Sequence, residues 1–228
     1  MPLVVIVLFA VIVVGALIYN AYAADKRRKE LAAWAARNGL EFSAGNVEDL
    51  DERYSDFECL CEGSNRYAYN VSDGEWAKRP LLAFDYHYET YSTDSKGRRQ
   101  THHHRFSAAV ITSAVPLKPL SIRPEGFLDK VGEFFGREDI NFESAEFSRK
   151  FFVKAPDRKW AFDVLHQRTI EFLLPRPQFH IQFDEECVII FRNDMFSVED
   201  FQSAVETVAG ILDRLPDYLV QQQMSTTV

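Results

Sequence analysis

The chain opens on an unbroken apolar run. Residues 2 to 24, PLVVIVLFAVIVVGALIYNAYAA, hold no charged side chain, and Lys26, Arg27, Arg28 and Lys29 follow almost at once. At about 1.5 Å per residue, a helix of this length crosses a hydrocarbon core of roughly 30 Å. The pattern predicts a transmembrane anchor over residues 1–24. A secretory signal would place basic residues ahead of the run, where only Met1 and Pro2 stand, and its apolar core would be shorter, about 7–15 residues. The basic cluster on the C-terminal side predicts, by the positive-inside rule, that the rest of the chain lies on the cytoplasmic side of the cell's inner (plasma) membrane. Tyr19 and Tyr22 fall where an interfacial aromatic belt would sit.

After the anchor, apolar positions recur first at helical and then at strand spacing. Residues 25–42 form a juxtamembrane segment read as helix from Lys26 to Asn38. Leu31, Trp34 and Ala35 share one face, and Gly39 is the stop with Leu40 behind it. Residues 43–56 read as an acidic loop. Phe57 to Cys61 reads as a short strand, and Arg66 to Ser72 as a second one before a turn at Ser72-Asp73-Gly74. The strongest alternation is a hairpin, Leu81–Tyr91 against Thr101–Thr112, around Asp94-Ser95-Lys96-Gly97. A three-residue loop closed by Gly97 sets Tyr88 opposite His104, Tyr86 opposite Phe106, Phe84 opposite Ala108 and Leu82 opposite Val110. The second face of that hairpin then carries Asp85, His87 and Glu89 against Ser107, Arg105 and His103.

Further on, Leu120–Arg123 reads as a strand, Phe127–Phe135 as a short helix and Phe147–Val153 as a strand. Asp157–Leu174 reads as one helix, capped by Asp157 and ended before Pro175. Gln178–Phe183 and Cys187–Arg192 make a second hairpin. Ser197 opens a last helix with Asp200 at the capping-box position; Pro216 disturbs its end, and residues 221–228 read as a flexible tail. These elements predict an α+β fold: one transmembrane helix, then a cytoplasmic domain over 57–220 with a mainly antiparallel sheet, two clear hairpins and about three packed helices.

Charge and composition narrow the function. The formal charge of −8 falls wholly outside the uncharged anchor, which excludes general nucleic-acid binding, for which a basic footprint is needed. The three cysteines, Cys59, Cys61 and Cys187, are an odd number suited to a reducing compartment. No phosphate loop, dinucleotide fingerprint or nucleophile elbow is present. The nineteen phenylalanines suffice for a sizeable core without any cofactor, and none is assigned.

Candidate chemistry is confined to histidines. Adjacent residues on a strand alternate faces, so of His102, His103 and His104 only His103 joins His87, Glu89 and Asp85. These are metal-ligand types, but a polar, solvated sheet face with a Glu89–His103 cross-strand pair explains them without a metal. His166 and His180 are read as structural, and no catalytic residue is assigned. The binding surface predicted is Asp85, His87, Glu89, His103 and Arg105, together with the juxtamembrane helix.

Several stretches carry a resemblance: the helix LAAWAARNGLEF (31–42), the strand FDYHY (84–88), FESAEF (142–147) and Phe151-Phe152-Val153 ahead of Trp160-Ala161-Phe162. With the N-terminal span, this resembles a broad group of bacterial membrane-anchored proteins of unknown function. The resemblance implies bacterial origin and the anchor, and brings no site residue with it. The expected function is a single-pass, membrane-anchored interaction or scaffold module, bound to the bilayer through residues 2–24 and to a protein partner or a second copy of itself. The alternative is a membrane-tethered, metal-dependent or hydrolytic enzyme built on the His87/His103 face.

Overall fold

A computed structural model describes residues 2–125 and 140–226. The helix expected over Phe127–Phe135 lies outside the described residues. The first element is α1 (Pro2–Arg37), so the residues read as anchor and as juxtamembrane segment form one continuous helix of 36 residues. Its stretch from Val5 onward is long and apolar enough to cross a membrane, and side chains such as Ile6, Phe9 and Leu17 are exposed along it. The last turns differ: Leu31, Trp34 and Ala35 are buried against the body of the fold. The helix ends as its sequence predicts. Gly39 takes a left-handed φ of 70°, and the Leu40 N–H reaches back to the Ala35 carbonyl at 2.9 Å, a Schellman closure.

The rest of the chain follows in order as β1 (Glu41–Ser43), α2 (Leu50–Arg53), α3 (Glu58–Cys61), β2 (Ser64–Trp76), β3 (Arg79–Thr93), β4 (Arg99–Thr112) and β5 (Leu120–Pro124). After the gap come α4 (Ala145–Lys150), β6 (Phe151–Lys154), α5 (Arg158–Val164), α6 (Gln167–Leu173), β7 (His180–Phe183), β8 (Cys187–Arg192), α7 (Val198–Leu212) and α8 (Asp217–Thr226). The described strands form one eight-stranded sheet in the order β1-β2-β3-β4-β8-β7-β5-β6. Every neighbouring pair is antiparallel. The α+β architecture with an N-terminal apolar helix is therefore observed.

Each face of the sheet has its own core. One core joins Leu81, Ala83, Ala109 and Ile190 to α1, α5, α6 and α7. The other joins Leu82, Phe84, Tyr86 and Val110 to Leu50, Phe57 and Leu60. The central hairpin keeps the expected register, with Tyr88 opposite His104, Phe84 opposite Ala108 and Leu82 opposite Val110. Asp94 N–H bonds the Arg98 carbonyl at 2.9 Å, and Gly97 has φ 78°.

The differences from the sequence reading have local causes. Phe57–Cys61 is not a strand: Phe57 and Leu60, three apart, point into the same core, so α3 forms there and Cys59 and Cys61 no longer share a strand face. The turn expected at Ser72-Asp73-Gly74 is strand, because β1 pairs with it and the chain reverses instead at Ala77 and Lys78, both at positive φ. Gly74 remains necessary there, since an added Cβ would meet the Leu40 side chain at 2.9 Å. Phe147–Val153 divides into α4, capped by the Ser144 hydroxyl accepting from Phe147 N–H, and β6. The long helix over Asp157–Leu174 breaks between α5 and α6, where His166 leaves helical geometry and its Nε2–H donates to the Arg214 carbonyl at 2.9 Å. α7 ends at Leu212, ahead of Pro216 as expected, and the chain then forms α8, which carries Leu219 into the core and runs on to Thr226 into the residues read as tail.

Two helix caps set an acid sensitivity. A hydrogen bond from Lys118, with Trp160 N–H, holds the Asp157 carboxyl below its ordinary range. Burial pushes the Asp200 carboxyl up, but Arg192 and the Ser197 N–H outweigh it and leave it lowered. A carboxyl depressed in the folded state stabilises fully above its unfolded pKa of about 4 and loses that contribution as pH falls through the folded value. The urea midpoint is therefore expected to hold from pH 7 to about pH 5 and to fall steadily below that. A midpoint that rose between pH 5 and pH 3.5 would contradict these assignments.

Candidate functional site

The site starts from alternation along the central strands. In β3, Asp85, His87 and Glu89 face α1, and the ladder places Ser107, Arg105 and His103 of β4 beside them and Tyr69 and Tyr67 of β2 on the other side. β2 reaches this face through two irregularities. Its register slips between Ser64 and Tyr67 and again between Tyr69 and Ser72. At each slip an asparagine takes a left-handed backbone, Asn65 at φ 51° and Asn70 at φ 50°. Asparagine tolerates that conformation better than most residues, and a bulge re-aims the groups around it. Asn70 is thereby aimed at Asp85, and Asn65 at His87 and Glu89.

Asp85 is wholly buried, and it is paired. Arg27 of α1 grips it with two bonds, Nε to Oδ2 at 2.9 Å and Nη2 to Oδ1 at 2.7 Å. Asn70 Nδ2 donates to Oδ2 at 2.9 Å and the Ser107 hydroxyl donates to Oδ1 at 2.6 Å. Arg27 Nη1 also donates to the Phe196 carbonyl at 2.7 Å, and Phe196 N–H donates to Ser107 Oγ at 2.9 Å. The carboxylate thus receives a cation and two neutral donors, which makes burial of the charge sustainable. Sequence reasoning assigned Arg27 only to membrane topology. Here it is the bolt between the end of the apolar stretch of α1 and the centre of the sheet.

Beyond Asp85, toward the hairpin tip, lies a second group. His87 is 3% exposed, stacks on Tyr67 with ring centroids 4.6 Å apart, and has its Nδ1 3.1 Å from the Asn65 carbonyl. Its Nε2 is 3.2 Å from His103 Nδ1. Glu89 Oε1 accepts from Asn65 Nδ2 at 2.7 Å and Oε2 accepts from the Tyr91 hydroxyl at 3.0 Å. The Asn65 bond is the main reason the Glu89 carboxyl lies below its usual range, with Tyr91 and the neighbouring histidines adding to it. Gly63 passes so close beneath Glu89 that an added Cβ would collide with the Glu89 carbonyl. The expected solvated face is therefore corrected in part: Asp85 is buried under Arg27 of α1 and Asn70 of β2, and His87 is buried beside Tyr67 of β2, whereas His103 and Arg105 stay exposed. His102 and His104 point to the opposite face, next to Ser92 and Thr90.

Comparison with known proteins bears on the fold. No family model and no curated protein matches the sequence. The crystal structure of the mycobacterial trehalose monomycolate transport factor A, TtfA, is similar with a TM-score of 0.61, covering 82% of this chain and 92% of that one at 12% identity. At that identity the likeness concerns the fold alone.

The middle of α1 and this face together border a cleft of about 680 Å3, lined by Asn20, Arg28, Tyr67, Tyr69, Arg105 and Met195 among others. Burial next to Asp85 pushes the Tyr69 hydroxyl up to about 12, so it stays a neutral donor. Among the described residues neither Arg28 nor Arg105 is engaged in a hydrogen bond or ion pair. Of the five residues predicted to form a binding surface, Asp85 is given over to fixing α1. His87, Glu89 and His103 converge, and Arg105 lines the cleft beside them. Arg27, Asn65, Asn70 and Tyr67 were not singled out from sequence; the signal available was the pair of asparagines interrupting an otherwise alternating strand.

Proposed function

We propose that this chain is a single-pass protein of a bacterial inner membrane whose α+β domain, on the cytoplasmic side, acts as an interaction module for a membrane-embedded transport assembly. The observation that carries the reading is the rigid joint: one helix forms both the span and a buried part of the domain, and the Arg27–Asp85 pair locks its register. A domain meant only to be tethered nearby would be served by a flexible linker. A rigid joint instead holds the cleft containing Arg28 and Arg105 at a set height above the bilayer, where it can meet another membrane protein. Lys26, Arg28 and Lys29 support the cytoplasmic orientation. The fold shared with a mycobacterial transport factor is compatible with a role in assisting transport.

Photo-crosslinking in the intact membrane tests this. A photoreactive residue at Arg105 or Arg28 is expected to capture a discrete membrane protein, whereas the same residue at Glu185, exposed in the turn between β7 and β8, captures none. Capture from both places alike, or from neither, would overturn the reading.

A further inference from the structure

The group beyond Asp85 has a geometry that a hydrogen-bonded sheet face does not require. The nearest ligand-type atoms of His87, Glu89 and His103 all lie within 4.8 Å of one another. His87 Nε2 and His103 Nδ1 are 3.2 Å apart, and His103 Nδ1 and Glu89 Oε1 are 3.3 Å apart. Ligands held at about 2.0–2.1 Å from a tetrahedral ion stand about 3.4 Å from each other. The two separations about His103 Nδ1 match that spacing, and the third pair, His87 and Glu89, lies within 4.8 Å.

Proton placement agrees. The Asn65 carbonyl can only accept, so His87 Nδ1 carries the proton and, in the neutral ring, Nε2 presents a lone pair to the group. Glu89 is held by Asn65 Nδ2 on Oε1 and by the Tyr91 hydroxyl on Oε2. Each of these two ligands therefore has a partner behind it that orients it, which is how protein metal ligands are commonly supported. Arg105, opposite His87 in the ladder, is exposed and opposes a bound ion only through solvent, while Arg27 on the same face is paired with Asp85.

We propose that His87, Glu89 and His103 bind one divalent transition-metal ion of the zinc type. Two imidazoles and a carboxylate suit that class rather than calcium or magnesium, which take mainly oxygen ligands. Three protein ligands leave coordination positions open, and His103, with 58% of its side chain exposed, sets them at the mouth of the group toward solvent. The proposal goes beyond the interaction reading and does not depend on it.

The test uses the full-length chain in detergent micelles, carrying no histidine tag and stripped with a chelator. Zinc is titrated in competition with a chromophoric indicator, and cobalt(II) is followed by its visible absorption. One ion per chain is expected. Glu89→Gln and His103→Ala should each weaken zinc at least about tenfold, while His102→Ala, on the opposite face, leaves the affinity unchanged. Zinc should also raise the melting temperature of the unaltered chain and not that of His103→Ala. Circular dichroism confirms that each variant is folded, and Glu89→Gln changes so little volume that it serves if His103→Ala is damaged. No stoichiometric zinc in the unaltered chain, zinc held as tightly by both site variants, or equal loss in His102→Ala would each overturn the site.

Discussion

Replacing Arg27 with methionine is expected to lower the unfolding free energy of the detergent-solubilised chain by about 3–5 kcal/mol, the range seen when one member of a buried ion pair is removed. For a chain of this length that corresponds to a drop of roughly 6–20 °C in melting temperature. The reason is asymmetric. Arg27 keeps 25% of its side-chain surface exposed, whereas Asp85 keeps none, so losing the guanidinium strands a carboxylate that has no route to water. Asn70 and Ser107 still donate to it but supply no charge. A second substitution, Asp85→Asn, made in the same chain should return part of the loss by removing the stranded charge. Melts of Arg27→Met and of the double variant at pH 7.5 check this. An unchanged melting temperature in Arg27→Met would show that the pair does not hold α1 to the sheet.

That pair also marks the boundary of what the sequence discloses. Local chemistry was legible. Ser197 and Asp157 cap their helices as their spacing implies, and alternation plus a four-residue turn determined the register of β3 and β4 pair by pair. Short apolar segments were not legible: at 57–61 and 147–150 helix and strand patterns differ by one or two positions, and the core on which they land decides between them. Nor was the α5–α6 break, where no Gly or Pro interrupts the pattern. The site falls between these cases. Its face was predicted, because His87, Glu89 and His103 follow from register alone. Its burial was not, because Lys26, Arg27, Arg28 and Lys29 look alike as a basic cluster, and only the angle of the helix across the sheet sends Arg27 inward. The asparagines at 65 and 70 acquire meaning only once β2 is known to bulge at both.

The same joint has an apolar half, and removing it should matter as much. Trp34 is buried where α1 crosses α7: its ring lies 5.6 Å from that of Phe201, and its Nε1–H donates to Gln202 Oε1 at 2.9 Å. Trp34→Ala empties that space and is expected to cost about 3–5 kcal/mol. Trp34→Phe retains most of the packing and loses one hydrogen bond whose acceptor, on a half-buried glutamine, water can reach; its cost should stay near 1 kcal/mol. The two variants separate packing from polarity. They also separate two consequences of the joint. If α1 is held mainly by this contact and by Arg27, Trp34→Ala will let the end of the helix lift from the sheet before the domain unfolds, and a protease will then cut near Gly39 under conditions where the central hairpin remains intact. If cleavage near Gly39 appears only together with global unfolding, the helix end and the sheet form one cooperative unit. Under either outcome Trp34→Ala must lower stability well beyond Trp34→Phe; equal, small effects would mean that α1 is fastened to the domain by Arg27 alone.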